Sequence, residues 1–200
     1  MSETSNKAGR GRPKILDRAA VLDVAMHAYW EEGPTEVSLN TICRRAGVAK
    51  PSVYKEFGSN DGLTSAALEA YAQCVLTKVL GILGGDGSFA EKITGVAALA
   101  AEDDTHKNGC LFVKMRAVKP QMGESTQALI TAMEEMALEA YAKMLTEAQT
   151  SGEWVGNIPV HLGAAYLQAQ IGLALDQRAR GEDPKDVLAL ALSVFGLPAK

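Results

Sequence analysis

Five neighbouring side chains between residues 50 and 55 could bind a polyanion: Lys50, Pro51, Ser52, Tyr54 and Lys55. They bring two ammonium groups, two hydroxyls and a proline into six residues, and Glu56 is the one acid beside them. Ammonium and hydroxyl groups donate to phosphate oxygens, and a lysine also reaches the O6 and N7 acceptors of guanine in a major groove. A merely solvated helix face mixes in more acids. That contrast favours nucleic-acid contact over the plainer reading of two surface helices on an all-α core.

The elements that must position these groups are written into residues 38–57. Ser38 is a good N-cap, because its hydroxyl accepts from an orphan N–H of the first turn. Leu39, Ile42 and Ala46 fall at i, i+3 and i+7 with Cys43 beside them, which is one apolar stripe. Gly47 follows where a helix ends in a left-handed residue. Val48 is apolar inside the turn and fills the space between two helices. In a second short helix, about Lys50 to Phe57, Val53 and Phe57 face inward while Lys50, Pro51, Tyr54 and Lys55 face out. Two short helices with a tight break, one polar on its outer side, make a helix-turn-helix whose second helix is sized for a major groove.

The run Ala46-Gly47-Val48-x-x-x-x-Val53-Tyr54-x-x-Phe57, preceded by Ser38-Leu39-x-x-Ile42 and followed by Ser59-Asn60-Asp61-Gly62-Leu63, resembles the N-terminal domain of TetR-type transcriptional regulators. The likeness is specific over about residues 17–70. It implies an all-α fold of about nine helices: a three-helix helix-turn-helix DNA-binding domain over 15–60 and a helical effector-binding and dimerisation domain over 61–200. It implies a homodimer bound to double-stranded DNA at a palindromic operator, with recognition helices about 34–36 Å apart. A small-molecule effector would release the DNA by altering that spacing. Asn40, Lys50, Pro51, Ser52 and Lys55 match family positions that meet bases, and Ser38 and Tyr54 match phosphate-contacting positions. Two departures weaken the pattern. Asn60 stands where many members carry a phosphate-reaching lysine. Ala49 stands where many carry a capping Ser or Thr, a loss of ~1 kcal/mol that Pro51 in the first turn partly offsets.

The net charge of −4 does not suit a DNA binder until its distribution is read. Residues 1–58 hold nine basic and seven acidic groups, and residues 59–200 hold eleven and seventeen. The positive field is local to the region that would meet DNA. Residues 1–14 read as a flexible basic arm. Its Arg10-Gly11-Arg12-Pro13-Lys14 resembles an AT-hook core, with extended arginines reaching a narrow A·T-rich minor groove. A solubilising tail that touches only phosphates is the equal alternative.

Beyond the reading head the helical period continues. A helix over 15–32 carries Leu22, Ala25, Met26 and Tyr29 inward and stops at Gly33-Pro34. Another opens at Ser59-Asn60-Asp61 and runs to about 83. The Gly81–Gly87 stretch lacks the Gly-Lys-Ser/Thr ending of a phosphate loop and reads as a linker turn. Further helices are expected from Phe89, over 108–119 up to Pro120, over 123–150, over 159–180 and over 184–196. The last two are too apolar for a monomer's surface. By the resemblance they form a dimer interface, with Leu162, Ala169, Leu173, Val187, Leu190 and Val194 as candidates; packing against the 123–150 helix is the alternative. Candidate effector-pocket residues are Phe89, Cys110, Phe112, Met115, Met133, Met136, Tyr141, Trp154 and Tyr166. The absence of cationic residues on these stripes points to a neutral or cationic apolar effector.

No catalytic constellation is visible. His27, His106 and His161 have no paired acid or nucleophile, and His106 and Cys110, four apart, lack further ligands for a zinc site. No catalytic residue, metal or cofactor is expected. Cys43, Cys74 and Cys110 are odd in number and widely spaced, which argues against a disulfide framework and for a reducing cytoplasm. No apolar run of about 18 residues predicts a membrane span. A thiol-based redox regulator using Cys110 or Cys43 is a competing reading on the same scaffold, with Cys43 and Cys74 as small buried filler otherwise. A small-molecule-modifying enzyme is a weaker one.

Overall fold

Nine α-helices follow one another in the computed structural model, which describes residues 16–103 and 108–198. They are α1 (Arg18–Glu32), α2 (Leu39–Ala46), α3 (Lys50–Phe57), α4 (Asn60–Gly84), α5 (Phe89–Glu102), α6 (Leu111–Ala117), α7 (Glu124–Ser151), α8 (Val160–Ala179) and α9 (Lys185–Ser193). No strand occurs among the described residues. The expected order holds, and the ends differ for local reasons. The first helix starts at Arg18 because Asp17 is its N-cap, accepting from the Ala20 N–H at 3.2 Å. The 108–119 run is shorter as a helix. Gly109 has φ +79° and Cys110 is extended, so α6 starts at Leu111, and a 3₁₀ turn over Lys119–Gln121 holds Pro120.

Helices α1–α3 form a head closed by Val21, Ala25, Tyr29, Ile42, Val53 and Leu63, all buried. The same apolar cluster continues through α4 (Ala67, Leu68, Tyr71) into Leu111, Met115, Ile130 and Met133. Helix α4 is therefore the spine between head and body, packed on α1, α3, α5, α6 and α7. By length and mean hydropathy (1.4) α4 passes for a membrane span, beyond what the sequence pattern suggests. Its Leu63, Ala67, Leu68 and Tyr71 are instead buried by the neighbouring helices, while Glu69, Gln73 and Lys78 face solvent. A second cluster lies at the far end of the body, where the rings of Phe89, Trp154 and Phe195 pack within 6.2 Å of one another and Tyr166 packs on Phe195.

One side chain at the start of the spine holds the start of α7. The N-cap of α7 is Gly123, which has no side chain to satisfy the first orphan N–H groups. Asp61 does so from α4, accepting from Ser125 N (2.8 Å), Thr126 N (3.2 Å) and the Thr126 hydroxyl (2.6 Å). Burial raises the Asp61 carboxyl pKa, and these hydrogen bonds outweigh it, so the group sits below its usual value. A depressed carboxylate contributes stability that is complete above its unfolded pKa and is lost as pH falls through the folded one. Asp61→Ala removes the cap and leaves the hydroxyl of buried Thr126 with only the long 3.4 Å contact to the residue 61 carbonyl. The expected loss is about 2–3 kcal/mol at neutral pH. Thermal melts should show that gap closing below about pH 4; a gap that does not shrink in acid would rule out the carboxylate as its source.

Candidate nucleic-acid interface and effector cavity

The reading head is assembled from caps and buried anchors. Ser38 accepts from Thr41 N at 3.2 Å, and its hydroxyl lies 3.0 Å from the Thr41 hydroxyl. Gly47 closes α2 at φ +65°, and Val48 N donates to Cys43 O at 3.0 Å, which turns the chain tightly into α3. Ala49 caps α3 without a side-chain hydrogen bond, and a proline stands in its first turn, as its sequence implies. Val53 is wholly buried beneath α3, so the helix has one possible roll angle.

That roll presents Lys50, Pro51, Tyr54 and Lys55 to solvent on one face, with Ser52 half-buried at its edge. Ser38 and Asn40 are exposed at the start of α2 beside it. The Lys50 ammonium rests 5.6 Å from the centre of the Tyr54 ring, a cation–π contact it must leave to reach a base. Other cations of the head are already engaged. Arg45 forms a bidentate pair with Glu32, and Arg18 lies 3.4 Å from Glu56 and over the Phe57 ring. These pairs brace α1 against α2 and α3. They leave Lys50, Lys55 and Arg44 outside the ion pairs of the described residues; the exposed Arg44, in the last turn of α2, escaped the sequence reading. Arg10, Arg12 and Lys14 lie outside the described residues.

The body holds a largely aliphatic cavity of about 90 Å³ where α4 to α8 converge. Of the nine candidate pocket residues, Cys110, Phe112 and Tyr141 line it. Met115 and Met133 are core, because α6 and α7 turn them toward the head cluster. Phe89, Trp154 and Tyr166 belong to the distal aromatic cluster, and Met136 is exposed. Met and aromatic residues share helical stripes with core positions, so spacing alone does not separate the two. The cavity also contains a cation, Arg116, contrary to the reading that its walls lack one. Phe112 and Arg116 are four apart on α6 and so share its cavity face. Gln168 reaches it as well, with its amide donating to Glu134 O at 3.3 Å.

Cys110 is buried, and burial pushes its thiol pKa up, which disfavours the reactive thiolate. Cys43 is buried under α2. Cys74 is exposed on α4, where buried filler was expected.

Cavity and head meet at α6. The Trp30 indole N–H at the end of α1 donates to Gly109 O at 2.9 Å, and the Lys114 ammonium donates to Trp30 O at 2.5 Å. Burial lowers the Lys114 pKa. One short helix therefore contacts the cavity through Phe112 and Arg116 and the head through Lys114. Neither Trp30 nor Lys114 carries a sequence signal for this role.

Residues 21–67 match the family model for bacterial regulatory proteins of the tetR family. The HTH-type transcriptional repressor ComR of Escherichia coli strain K12 is 30% identical over 169 residues, covering 80% of this chain and 77% of that protein. The HTH-type transcriptional repressor BdcR of the same strain is 28% identical over 100 residues, half of each chain. Among solved structures, the reduced form of E. coli NemR superimposes with a TM-score of 0.76 at 18% identity, over 92% of this chain and 99% of that one. A cysteine mutant of the TetR-family regulator CifR, solved with a 26-bp double-strand operator, gives 0.71 at 22% identity, over 93% and 98%. At these identities the structural matches show the shared fold.

Proposed function

Because this chain belongs to the TetR family of transcriptional regulators, we propose that it is a repressor that binds a palindromic double-stranded operator as a homodimer in the cytoplasm and leaves it when a small molecule fills the cavity of its body. The observation that carries the DNA half is the outer face of α3: Lys50, Pro51, Ser52, Tyr54 and Lys55 stand together on a helix whose roll is set by buried Val53. Ser38 and Asn40 extend this surface, and the arm with Arg10, Arg12 and Lys14 adds charge to it. Repression in ComR and BdcR and operator DNA on CifR are consistent with the assignment. The chain divides into the arm (1–14), the reading head (15–60) and the effector and dimerisation body (61–200). Catalysis has no place in this reading.

Phosphate and base contacts separate experimentally. Tyr54→Ala should weaken binding to every sequence by about tenfold, since a phosphate contact fixes register without reading bases. Lys50→Ala should cost about 1–3 kcal/mol on the best site and relax preference at one base position. Selection of binding sites from random DNA, followed by anisotropy titration at matched salt, measures both. If both variants select and bind the parent's site with the parent's affinity, α3 is not the recognition helix.

The effector half rests on the α6 junction. A ligand that moves Phe112 or Arg116 shifts the helix whose Lys114 donates to Trp30 O, next to Gly109, whose carbonyl accepts from the Trp30 indole. Differential affinity for the two arrangements is the condition for release.

A further inference from the structure

The cavity wall is apolar, aliphatic side chains with the Phe112 and Tyr141 rings, and four of its residues carry polar groups: Arg116, Tyr141, Gln168 and Cys110. Arg116 is the charged one, and no acidic residue lines the cavity. The guanidinium lies 5.7 Å from the centre of the Phe112 ring and is half-buried. Among the described residues it has no ion-pair partner and donates no hydrogen bond. It lies against Gly172, where a Cβ would come within 2.9 Å of Arg116 Nη2 and displace the end of the side chain. No hydrogen bond to the hydroxyl of buried Tyr141 occurs among the described residues.

A cation withdrawn from water without a counter-charge is costly, as is an unmade hydrogen bond. Both costs are removed by a ligand that supplies an anion to Arg116 and an acceptor to Tyr141 while its body covers the aliphatic wall. A carboxylate matches the planar guanidinium fork with two parallel hydrogen bonds. Phosphate and sulfate would bring more charge and no apolar surface to an aliphatic wall. The volume of about 90 Å³ is below the ~150 Å³ of a cavity that admits benzene, which limits the body to about four or five carbons without movement of the wall.

We infer that the cavity binds a small apolar monocarboxylate, held at its acid end by Arg116 with Tyr141 as a second donor. This rests on the effector reading above and replaces the neutral or cationic ligand suggested by the sequence.

Isothermal titration of the full-length chain with isovalerate and butyrate, against isovaleramide, butyramide and isoamylamine, tests it. The expected result is binding of at least one acid with a Kd at least ~10-fold below that of its own amide, and weaker binding still of the amine. A charge-assisted hydrogen bond is of that size. Arg116→Gln should erase the preference of acid over amide, and Arg116→Lys should keep part of it, with circular dichroism establishing that each variant is folded. If Arg116→Gln does not fold, the amide comparison on the parent and the Arg116→Lys titration decide. Equal binding of acid and amide, undiminished acid binding by Arg116→Gln, or binding of neither acid overturns the inference. Operator release measured alongside separates the two proposals. Arg116-dependent acid binding without release upholds this site and counts against the effector reading. Release by an amide with no acid binding does the reverse.

Discussion

Leu173→Glu combined with Leu190→Glu is expected to leave a folded monomer whose affinity for a palindromic operator falls by about 10²–10⁴-fold. Most of the exposed large apolar residues of the body lie on its last two helices, with Met136 on α7 and Val155 after it as the others. Leu162 (54% exposed), Leu173 (42%), Leu190 (64%) and Val194 (40%) are the large residues of those two helices. Leu162, Ala169 and Leu173 fall at i, i+7 and i+11 on α8, and Val187, Leu190 and Val194 at i, i+3 and i+7 along and just past the end of α9. Each set is one helical stripe, on two helices that pack against each other, rather than surface leucines scattered singly. Ala164, Leu167, Leu175 and Leu188 on the same helices are buried, so internal packing uses the opposite side. Two glutamates facing their own copies across a two-fold axis would be desolvated like charges. Losing the dimer turns a linked pair of half-site contacts into independent ones, and the loss of effective concentration sets the size of the effect. Light scattering and operator titration at matched salt read the two consequences. A variant that remains dimeric would place the interface elsewhere.

Gly109→Ala is expected to lower the melting temperature by roughly 6–12 °C and to weaken the link between cavity and head. Its φ of +79° is one that alanine adopts only with strain, and a Cβ would lie 2.7 Å from Ala179 Cβ and 3.0 Å from Leu175 O. Backbone strain and overlap in a packed place together cost about 3 kcal/mol, and a chain this long loses about 2–4 °C per kcal/mol. The carbonyl of the same residue accepts from Trp30, so relief of the overlap must move the start of α6 away from α1 or from α8. Differential scanning calorimetry gives the first effect. The second appears as effector binding that no longer changes operator affinity by the 5- to 150-fold typical of coupled sites. A melt within 2 °C of the parent would show that the segment yields without strain.

Residues 38–57 were legible because everything that shapes them is local. Ser38 caps a donor three residues away, Gly47 meets a backbone requirement at its own position, and the stripe of Leu39, Ile42 and Val53 needs only the helical period to be read. The same period separated exposed Lys50, Tyr54 and Lys55 from buried Val53 before any contact was known. Helix order, the resemblance to the TetR family and the apolar excess of the last two helices follow from the same short-range signals. What a period cannot say is which neighbour a face will meet. Met115 and Phe112 lie on one short helix, yet Met115 completes the head core and Phe112 lines the cavity, because α4 and α7 cover different sides of α6. Asp61 read as part of the cap cluster that opens α4 and in the fold also caps α7, 64 and 65 residues away along the chain. Arg116 sat in an apolar-rich run and became the cavity's charged group where α6 packs beside Gly172 of α8. Sequence by itself determined the all-α class, the reading head and its outward chemistry, since these depend on interactions within a turn or two of helix. Only the tertiary structure decided the polarity of the cavity, the α6 junction and the cap on α7, since each joins residues that chain separation makes independent until packing brings them together.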